Sequence, residues 1–273
     1  MHRRLACSSR LARCCVCLYL AAISSSVAAA HDDARVPGVI VGERLDGYRG
    51  VWHGQEPTKD AYHFKYSGGL GTYTAKHRPL AIYTPAVNKT FFVYGGTIGT
   101  GRDRLASMVG AYDHASGEVE RPTLVHHKNT FDPHDNPALS IDQAGHLWIF
   151  ISGRARGRAG WIYRSEKPYD IDKFRLVDTG EYTYPQPWHV PDEGFVLLFT
   201  KYLGGRQLFF KKSPDGQKWS EDTRLAAFGG HYQTSWHEGG RIATAFNWHP
   251  KGVVDDRTNL YYVETPDLGQ TWT

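Results

Sequence analysis

A repeat of about fifty residues is the feature that most constrains the fold of this chain. Four apolar, strand-like segments start 56, 48 and 46 residues apart, at Phe91, Leu147, Phe195 and Arg241. A second series of strand-like segments follows them at intervals of 51, 47 and 52 residues, around Tyr112, Tyr163, Phe210 and Tyr262. Several strands in each unit of about fifty residues are typical of a β-propeller, whose blades are four-stranded sheets around a central axis. The sequence therefore predicts an all-β propeller.

Two turns at the ends of the second series support this prediction. Thr265–Trp272 fits the Asp-box pattern S/T-x-D-x-G-x-T-W, and Ser213–Trp219 is a version that is one residue shorter. In such a turn the Asp caps backbone amides, the Gly takes a positive φ, and the Trp packs the hairpin onto its neighbour. We expect both turns to have a structural role.

The first thirty residues have the pattern of a secretory signal. A basic start with Arg3, Arg4, Arg10 and Arg13 precedes an apolar stretch and the small residues Ala28–Ala30. We expect cleavage near His31, a secreted or periplasmic protein, and no membrane attachment after cleavage. A retained membrane anchor is the alternative, but the apolar stretch is short and rich in Ser.

Removal of residues 1–30 changes the chemistry expected of the chain. All four cysteines lie in this segment, so the exported protein has no disulfide framework. Four arginines and no acidic residues leave with it, so the net charge falls from +4 to 4 − 4 = 0. A neutral protein gives no reason to expect nucleic acid binding, and affinity for an anion has to come from local placement of charge.

The domain assignment follows from these boundaries: a signal peptide at 1–30, an N-terminal tail at 31–47 and the propeller at 48–273. The sequence stops at Thr273, directly after the Asp-box Trp272, where an outer strand should begin. Because five blades would use the whole mature length and leave nothing for closure, we expect an incomplete ring of a larger propeller. A closed five-bladed ring is the alternative. We expect a monomer.

The stretches before the apolar segments are the predicted innermost strands, and they are polar and aromatic where a buried strand would be aliphatic. They are Tyr73–His77, His134–Asn136, Tyr184–His189 and His231–Ser235. Inner strands line the propeller axis, so these residues predict a binding site that includes His77, His134, His231 and Gln233. The alternative is a set of polar side chains that plug a narrow channel.

Basic and phenolic side chains follow the second strands, namely Arg154, Lys201, Tyr202 and Arg206. Together with the histidines and with few carboxylates, they favour an anionic ligand. We assign Arg156 and Arg158 to a solvated loop. The mature chain has neither H-E-x-x-H nor a cysteine pair, so we expect no catalytic metal and no required cofactor, with a structural metal ion left open.

Several stretches resemble the BNR-4 type Asp-box propeller family, which includes ulvan lyases and related secreted polysaccharide lyases. They are "KYSGGLGTYTAKH", "VNKTFFVYGGT", "HDNPALSIDQAGHLWIFISG", "YPQPW" and "TKYLGGR", and the likeness covers most of 48–273. The resemblance implies a seven-bladed propeller and β-elimination at a uronic acid. It makes His134 a catalytic acid or base with Tyr184 opposite it, and Asn136, Lys201 and Arg206 the groups that hold the carboxylate and the neighbouring sugar. Arg154 stands where some ulvan lyases have a second histidine, and an arginine is a poor base at neutral pH.

The sequence thus predicts a polysaccharide lyase that acts on an anionic, ulvan-like polysaccharide, with two alternatives. One is a glycoside hydrolase of sialidase type, whose early Arg-Ile-Pro motif has only a weak counterpart at Arg35–Pro37. The other is a non-catalytic carbohydrate-binding propeller that uses aromatic stacking platforms at Trp188, Tyr202, Tyr232 and Trp236.

Overall fold

A computed structural model describes most of the chain after residue 35. The described residues are 36–50, 53–54, 70–71, 78–98, 105–128, 130, 132–229, 232–252, 256 and 258–273. All of them belong to one unit, His31–Thr273. The predicted signal peptide at 1–30 lies outside the described residues.

The described elements are almost all β-strands. In chain order they are β1 (Ile40–Val41), β2 (Glu43–Arg44), β3 (His53–Gly54), β4 (Leu70–Gly71), β5 (Ala81–Thr84), β6 (Lys89–Gly96), β7 (Ala106–Asp113), β8 (Glu118–Val119), β9 (Thr123–His127), β10 (Pro137–Ile141), β11 (Leu147–Ile151), β12 (Gly160–Ser165), β13 (Phe174–Gly180), β14 (Thr183–Val190), β15 (Gly194–Tyr202), β16 (Arg206–Ser213), β17 (Thr223–Ala226), β18 (Thr234–Glu238), β19 (Arg241–Trp248) and β20 (Thr258–Thr265). Two short 3-10 helices span Pro133–Asp135 and Pro250–Gly252. In the part of the chain that the structure describes, no helix is long and apolar enough to cross a membrane.

The strands form four antiparallel sheets that are arranged as propeller blades in an incomplete ring, which confirms the predicted fold. From the inner to the outer strand, the first blade is β5-β6-β7-β9 and the second is β10-β11-β12-β13. The third blade is β14-β15-β16-β17, and the fourth is β18-β19-β20. The short strand β8 pairs with β7, and β3 pairs with β4 in a separate ladder. The apolar segments are the second strands and the Asp-box segments end the third, as the repeat predicts.

The apolar segments β11 and β15 are continuous because both faces of the second and third blades are buried. In β15, Phe195, Leu197 and Phe199 pack in the cluster shared with the second blade. The alternating residues Val196 and Leu198 pack in the cluster shared with the fourth blade. Period-two alternation sends successive side chains to opposite faces, so a strand between two neighbours needs apolar residues at every position.

Residues 36–47, which we call the N-terminal strap, were expected to be a tail and instead pair with two blades. The strand β1 adds to the outer edge of the second blade beside β13, and β2 adds to the first blade beside β9. Arg44 in the strap donates to Asp172 at 2.6 Å and to Glu120 at 3.4 Å, so it joins residues of both blades.

The inner strands of the second and fourth blades begin later than the sequence predicted, whereas β14 of the third blade begins at Thr183, next to the predicted start at Tyr184. In the second blade, Pro133–Asp135 form one turn of 3-10 helix, Asn136 caps it, and β10 begins at Pro137. The turn forms because Pro133 suits a first helical position and the Asp132 carboxylate caps the backbone N–H of His134. In the first blade the inner strand is β5, and the predicted segment Tyr73–His77 lies outside the described residues.

Candidate functional site

Polar and aromatic side chains from three blades meet at the end of the propeller where the inner strands begin. Each second strand ends beside the start of its inner strand, as the pairs Pro137 with Ile151 and Thr183 with Thr200 show. Residues before an inner strand and after a second strand therefore lie close together. We call this group the end cluster, and its members are His134, Arg154, Tyr184, Tyr202, Arg206 and Tyr232.

His134 is held by the turn in which it lies. Its backbone N–H donates to an Asp132 carboxylate oxygen at 3.0 Å, and its Nδ1 contacts the same oxygen. The ring centroid of His134 lies 5.6 Å from that of Tyr184. About a fifth of the side chain is exposed, at 21%. The imidazole is therefore fixed, accessible and beside a phenol.

Tyr184 has a strained backbone that aims its side chain. Its φ is 56°, a left-handed conformation that costs energy in a non-glycine residue. The register between β14 and β15 shifts between Thr183 and Gln186, so the strand bulges at this point. The backbone N–H of Tyr184 donates to Ser152 Oγ at 3.1 Å, which stabilises the conformation.

Arg154 joins two phenols to the histidine turn. Its Nη1 donates to the hydroxyls of Tyr184 at 2.5 Å and Tyr202 at 3.0 Å. Its Nε lies 3.7 Å from an Asp132 oxygen. Burial alone would lower the pKa of Arg154, but Tyr184, Tyr202 and Asp132 raise it above its ordinary value. Arg154 is a permanent cation and does not serve as a base.

Arg206 supplies a second guanidinium on the other side of Tyr202. Its Nε donates to the Tyr202 hydroxyl at 3.2 Å, and its Nη1 lies 3.1 Å from His249 Nδ1. The guanidinium carbon also lies 4.8 Å from the centroid of the Tyr232 ring. Burial opposes the charge, but Tyr232 and Tyr202 raise the pKa of Arg206. Because the Tyr202 oxygen accepts from both guanidiniums, its own proton is directed to a third acceptor, such as an anionic ligand oxygen.

The carboxylates beneath the end cluster are engaged by cations. Asp135 is fully buried, 3.0 Å from Lys128 Nζ, and accepts two hydrogen bonds from Arg158 at 2.8 and 2.9 Å. Arg158 also donates to Asp132 at 2.6 Å. Burial opposes ionisation of Asp132, but hydrogen bonds from His134 and then from Arg158 hold its pKa well below its usual range. Asp132 is therefore a fixed negative charge, and Asp135 is held between Lys128 and Arg158.

The comparison with family models agrees with the repeat. Residues 100–273 match the model of the BNR repeat-containing family. The chain belongs to this family. No curated protein matches the chain.

Three solved structures of polysaccharide lyases resemble this BNR-repeat protein. A PL25 ulvan lyase is 16% identical, with a TM-score of 0.61 over 85% of this chain and 57% of that one. A PL25 ulvan lyase bound to -[GlcA(1-4)Rha3S]- has the same identity and coverage, with a TM-score of 0.58. The polysaccharide lyase Uly1 is 14% identical, with a TM-score of 0.55 over 87% of this chain and 64% of that one. The chain spans 57% to 64% of the length of these lyases, and at these identities the likeness shows the fold.

The structure brings five of the predicted site residues of this BNR-repeat protein together: His134, Arg154, Tyr184, Tyr202 and Arg206. Three others lie outside this group, namely Lys201, Asn136 and Gln233. Lys201 lies on the opposite face of β15 from Tyr202, where its Nζ is 2.7 Å from Asp222 and 5.5 Å from the Phe209 ring centroid.

Asn136 and Gln233 are buried beside the end cluster. The Asn136 amide oxygen packs so tightly against Gly95 of the first blade that a Cβ there would lie 2.0 Å from it. The Gln233 side chain is also buried, and its backbone carbonyl accepts a hydrogen bond from Gln186 at 3.0 Å. His77 and His231 lie outside the described residues.

Sequence reasoning missed Asp132 and His249, and it assigned Arg158 to solvent. Arg158 is only 31% exposed at its side chain and pairs with two carboxylates, so that assignment is wrong, whereas Arg156 is 79% exposed. The signal for Asp132 was present, since an Asp before Pro favours a capped turn. Among the described residues, no group of three or more His, Cys, Asp or Glu side chains could hold a metal ion.

Proposed function

We propose that this protein is a secreted polysaccharide lyase that cleaves an anionic, ulvan-like uronic-acid polysaccharide by β-elimination. The observation that carries the proposal is the arrangement of the end cluster. Two guanidinium groups share the hydroxyl of Tyr202, and one of them also contacts Tyr184, which lies beside His134.

β-Elimination at a uronic acid has three requirements, and the end cluster offers a group for each. The C6 carboxylate has to be neutralised, so that the proton on C5 becomes acidic. Arg154, Arg206 and the outward proton of Tyr202 are suited to bind that carboxylate. A base has to take the C5 proton and an acid has to protonate the leaving O4, and His134 with Tyr184 supplies this pair.

The proposed elimination moves two protons and needs no cofactor. The C5 proton passes to His134, and the electron pair of the C5–H bond becomes the C4–C5 double bond. The C4–O4 bond breaks, and O4 takes the proton of the Tyr184 hydroxyl. Arg154, which donates to the Tyr184 oxygen at 2.5 Å, stabilises the negative charge left there.

A solved neighbour and the charge of the end cluster support the substrate class, and the signal pattern supports the location. The fold resembles that of a PL25 ulvan lyase bound to -[GlcA(1-4)Rha3S]-, which contains a uronic acid and a sulfated sugar. The two guanidiniums are suited to a substrate with more than one anionic group. The signal pattern of residues 1–30 supports export.

A non-catalytic carbohydrate-binding propeller is the second candidate. Trp236 favours it, because the ring is 57% exposed on an inner strand and can stack on a sugar. A sialidase-type hydrolase would need a tyrosine nucleophile paired with a glutamate, whereas Tyr184 receives a hydrogen bond from Arg154.

The test measures the ultraviolet absorbance of unsaturated uronate when the full chain is mixed with ulvan and other uronic-acid polysaccharides. We expect the absorbance to rise on at least one of them. Tyr184→Phe and His134→Ala should each lower kcat by about 100-fold or more, because each removes one proton-transfer group.

The matched control is Tyr83→Phe, which removes the hydroxyl of a half-exposed tyrosine in the first blade and should leave kcat unchanged. Sugar binding without any rise in absorbance would favour the carbohydrate-binding candidate. New reducing ends without unsaturated product would favour a hydrolase.

A further inference from the structure

Asp132 contacts His134 in two ways through one oxygen. Its Oδ1 accepts the backbone N–H of His134 at 3.0 Å and also lies against the ring Nδ1. A carboxylate can only accept a hydrogen bond, so the ring nitrogen that faces it has to carry a proton. The side chains are 21% and 25% exposed, so the contact is partly shielded from water.

The other carboxylate oxygen of Asp132 is fixed by a second set of hydrogen bonds. Arg158 donates to Asp132 Oδ2 at 2.6 Å and is itself held by two hydrogen bonds to Asp135. Asp135 is fully buried and lies 3.0 Å from Lys128 Nζ, which also donates to the carbonyl oxygens of Ser152 and Ala159 at 3.1 and 3.2 Å. This chain of contacts runs from the blade interior to the histidine and prevents rotation of Asp132.

We propose that Asp132 is a positioning residue that keeps the proton of neutral His134 on Nδ1. The ring then presents Nε2 without a proton, as the acceptor that the elimination needs. Asp132 also stabilises the imidazolium that forms when Nε2 takes a proton, because its negative charge lies against the ring. The catalytic consequence rests on the proposed function, but the position of the proton does not.

Nuclear magnetic resonance can report the position of the proton directly. The full chain is labelled with 15N-histidine, and long-range 1H–15N spectra are recorded at a pH where the imidazoles are neutral. The His134 signals are identified by their loss in His134→Gln. His146 provides an internal reference, because its Nδ1 lies 2.9 Å from the carbonyl oxygen of Ser165 and so has to carry the proton.

We expect wild-type His134 to show the same pattern as His146, with the proton on Nδ1. In Asp132→Ala the acceptor is gone, so the pattern should shift toward a proton on Nε2. In the same variant kcat should fall by about 100-fold or more with KM within about threefold, because the tautomer changes while the substrate contacts remain.

Each result decides the proposal. A wild-type His134 with its proton on Nε2 would overturn it, and so would an unchanged tautomer in Asp132→Ala. If Asp132→Ala does not fold, the wild-type spectrum decides by itself. If the tautomers are as expected but no polysaccharide yields unsaturated product, the role of Asp132 in setting the tautomer stands and the proposed function fails.

Discussion

At the scale of single residues, Arg154 determines the electrostatics of the end cluster. It contacts the hydroxyls of Tyr184 and Tyr202 with one nitrogen and approaches Asp132 with another. A planar guanidinium can do this because it has five donors in a fixed fork, whereas an ammonium group is a compact point charge. The position therefore requires the shape of arginine as well as its charge.

Arg154→Lys tests this requirement. We expect kcat/KM on the active polysaccharide to fall by about 10- to 100-fold, since one donor to a tyrosine oxygen is lost while the charge remains. Arg156→Lys is the matched control, because Arg156 is only two residues away and its side chain is 79% exposed. Equal activity of both variants would show that charge alone is sufficient at Arg154.

The positions of the end cluster could be predicted from the sequence more readily than its contacts. His134 and Tyr184 stand out because polar residues recur where buried strands should begin. Lys201 and Tyr202 were both assigned to the site, although adjacent residues of one strand point to opposite faces, so only one of them can reach it. His249 was missed because it enters from the fourth blade through a contact that no repeat reveals.

At the scale of elements, the two Asp-box turns fasten the third blade to the second and the fourth blade to the third. Gly216 in the turn after β16 lies directly under the Trp148 ring of the second blade. Trp219 and Trp272, which end the two turns, pack on Phe150 and Phe210 of the preceding blades, with centroids 6.1 and 5.1 Å apart. The sequence predicted these turns because each residue type has one local role in them. Their contacts depend on the blade geometry and could not be predicted.

Gly216→Ala measures the importance of this close approach. The φ of Gly216 is +73°, and an added Cβ would lie 2.5 Å from Trp148, whose Nε1 is hydrogen-bonded to Asp142 at 2.9 Å. Gly117→Ala is the control, since its φ is +74° and nothing lies within 4 Å of the added carbon. We expect Gly216→Ala to lower the free energy of unfolding in urea by about 1–3 kcal/mol more than the control. Similar losses in both would mean that backbone strain alone matters.

At the scale of the whole molecule, the proposed affinity for an anion depends on the local placement of charge. The predicted mature chain has a formal net charge of 4 − 4 = 0. Arg154 and Arg206 are nevertheless concentrated at one end of the blades, and Asp132, the carboxylate near Arg154, is also paired with Arg158. A net charge near zero could not reveal this concentration, because the two arginines come together only when the second and third blades pack and both donate to Tyr202.

The pairing of the N-terminal strap with two blades could not be predicted from the sequence. Its strands β1 and β2 have two residues each, too few to show an alternating pattern. Arg44 nevertheless contacts Asp172 of the second blade, and Glu120 and the carbonyl of Arg121 in the first. The strap thus joins the outer edges of two blades that are already packed through their cores.

Arg44→Ala tests whether this connection stabilises the blades as one cooperative unit. We expect the free energy of unfolding in urea to fall by about 1–2 kcal/mol with one transition retained, because a partly buried arginine loses partners on two blades. Arg241→Ala is the control: Arg241 pairs with Glu264 at 2.8 Å within a single blade, and its side chain is 57% exposed, so the loss should be smaller. Equal losses would show that Arg44 acts only as a surface ion pair. A second transition in Arg44→Ala would show that the strap is needed for the blades to unfold together.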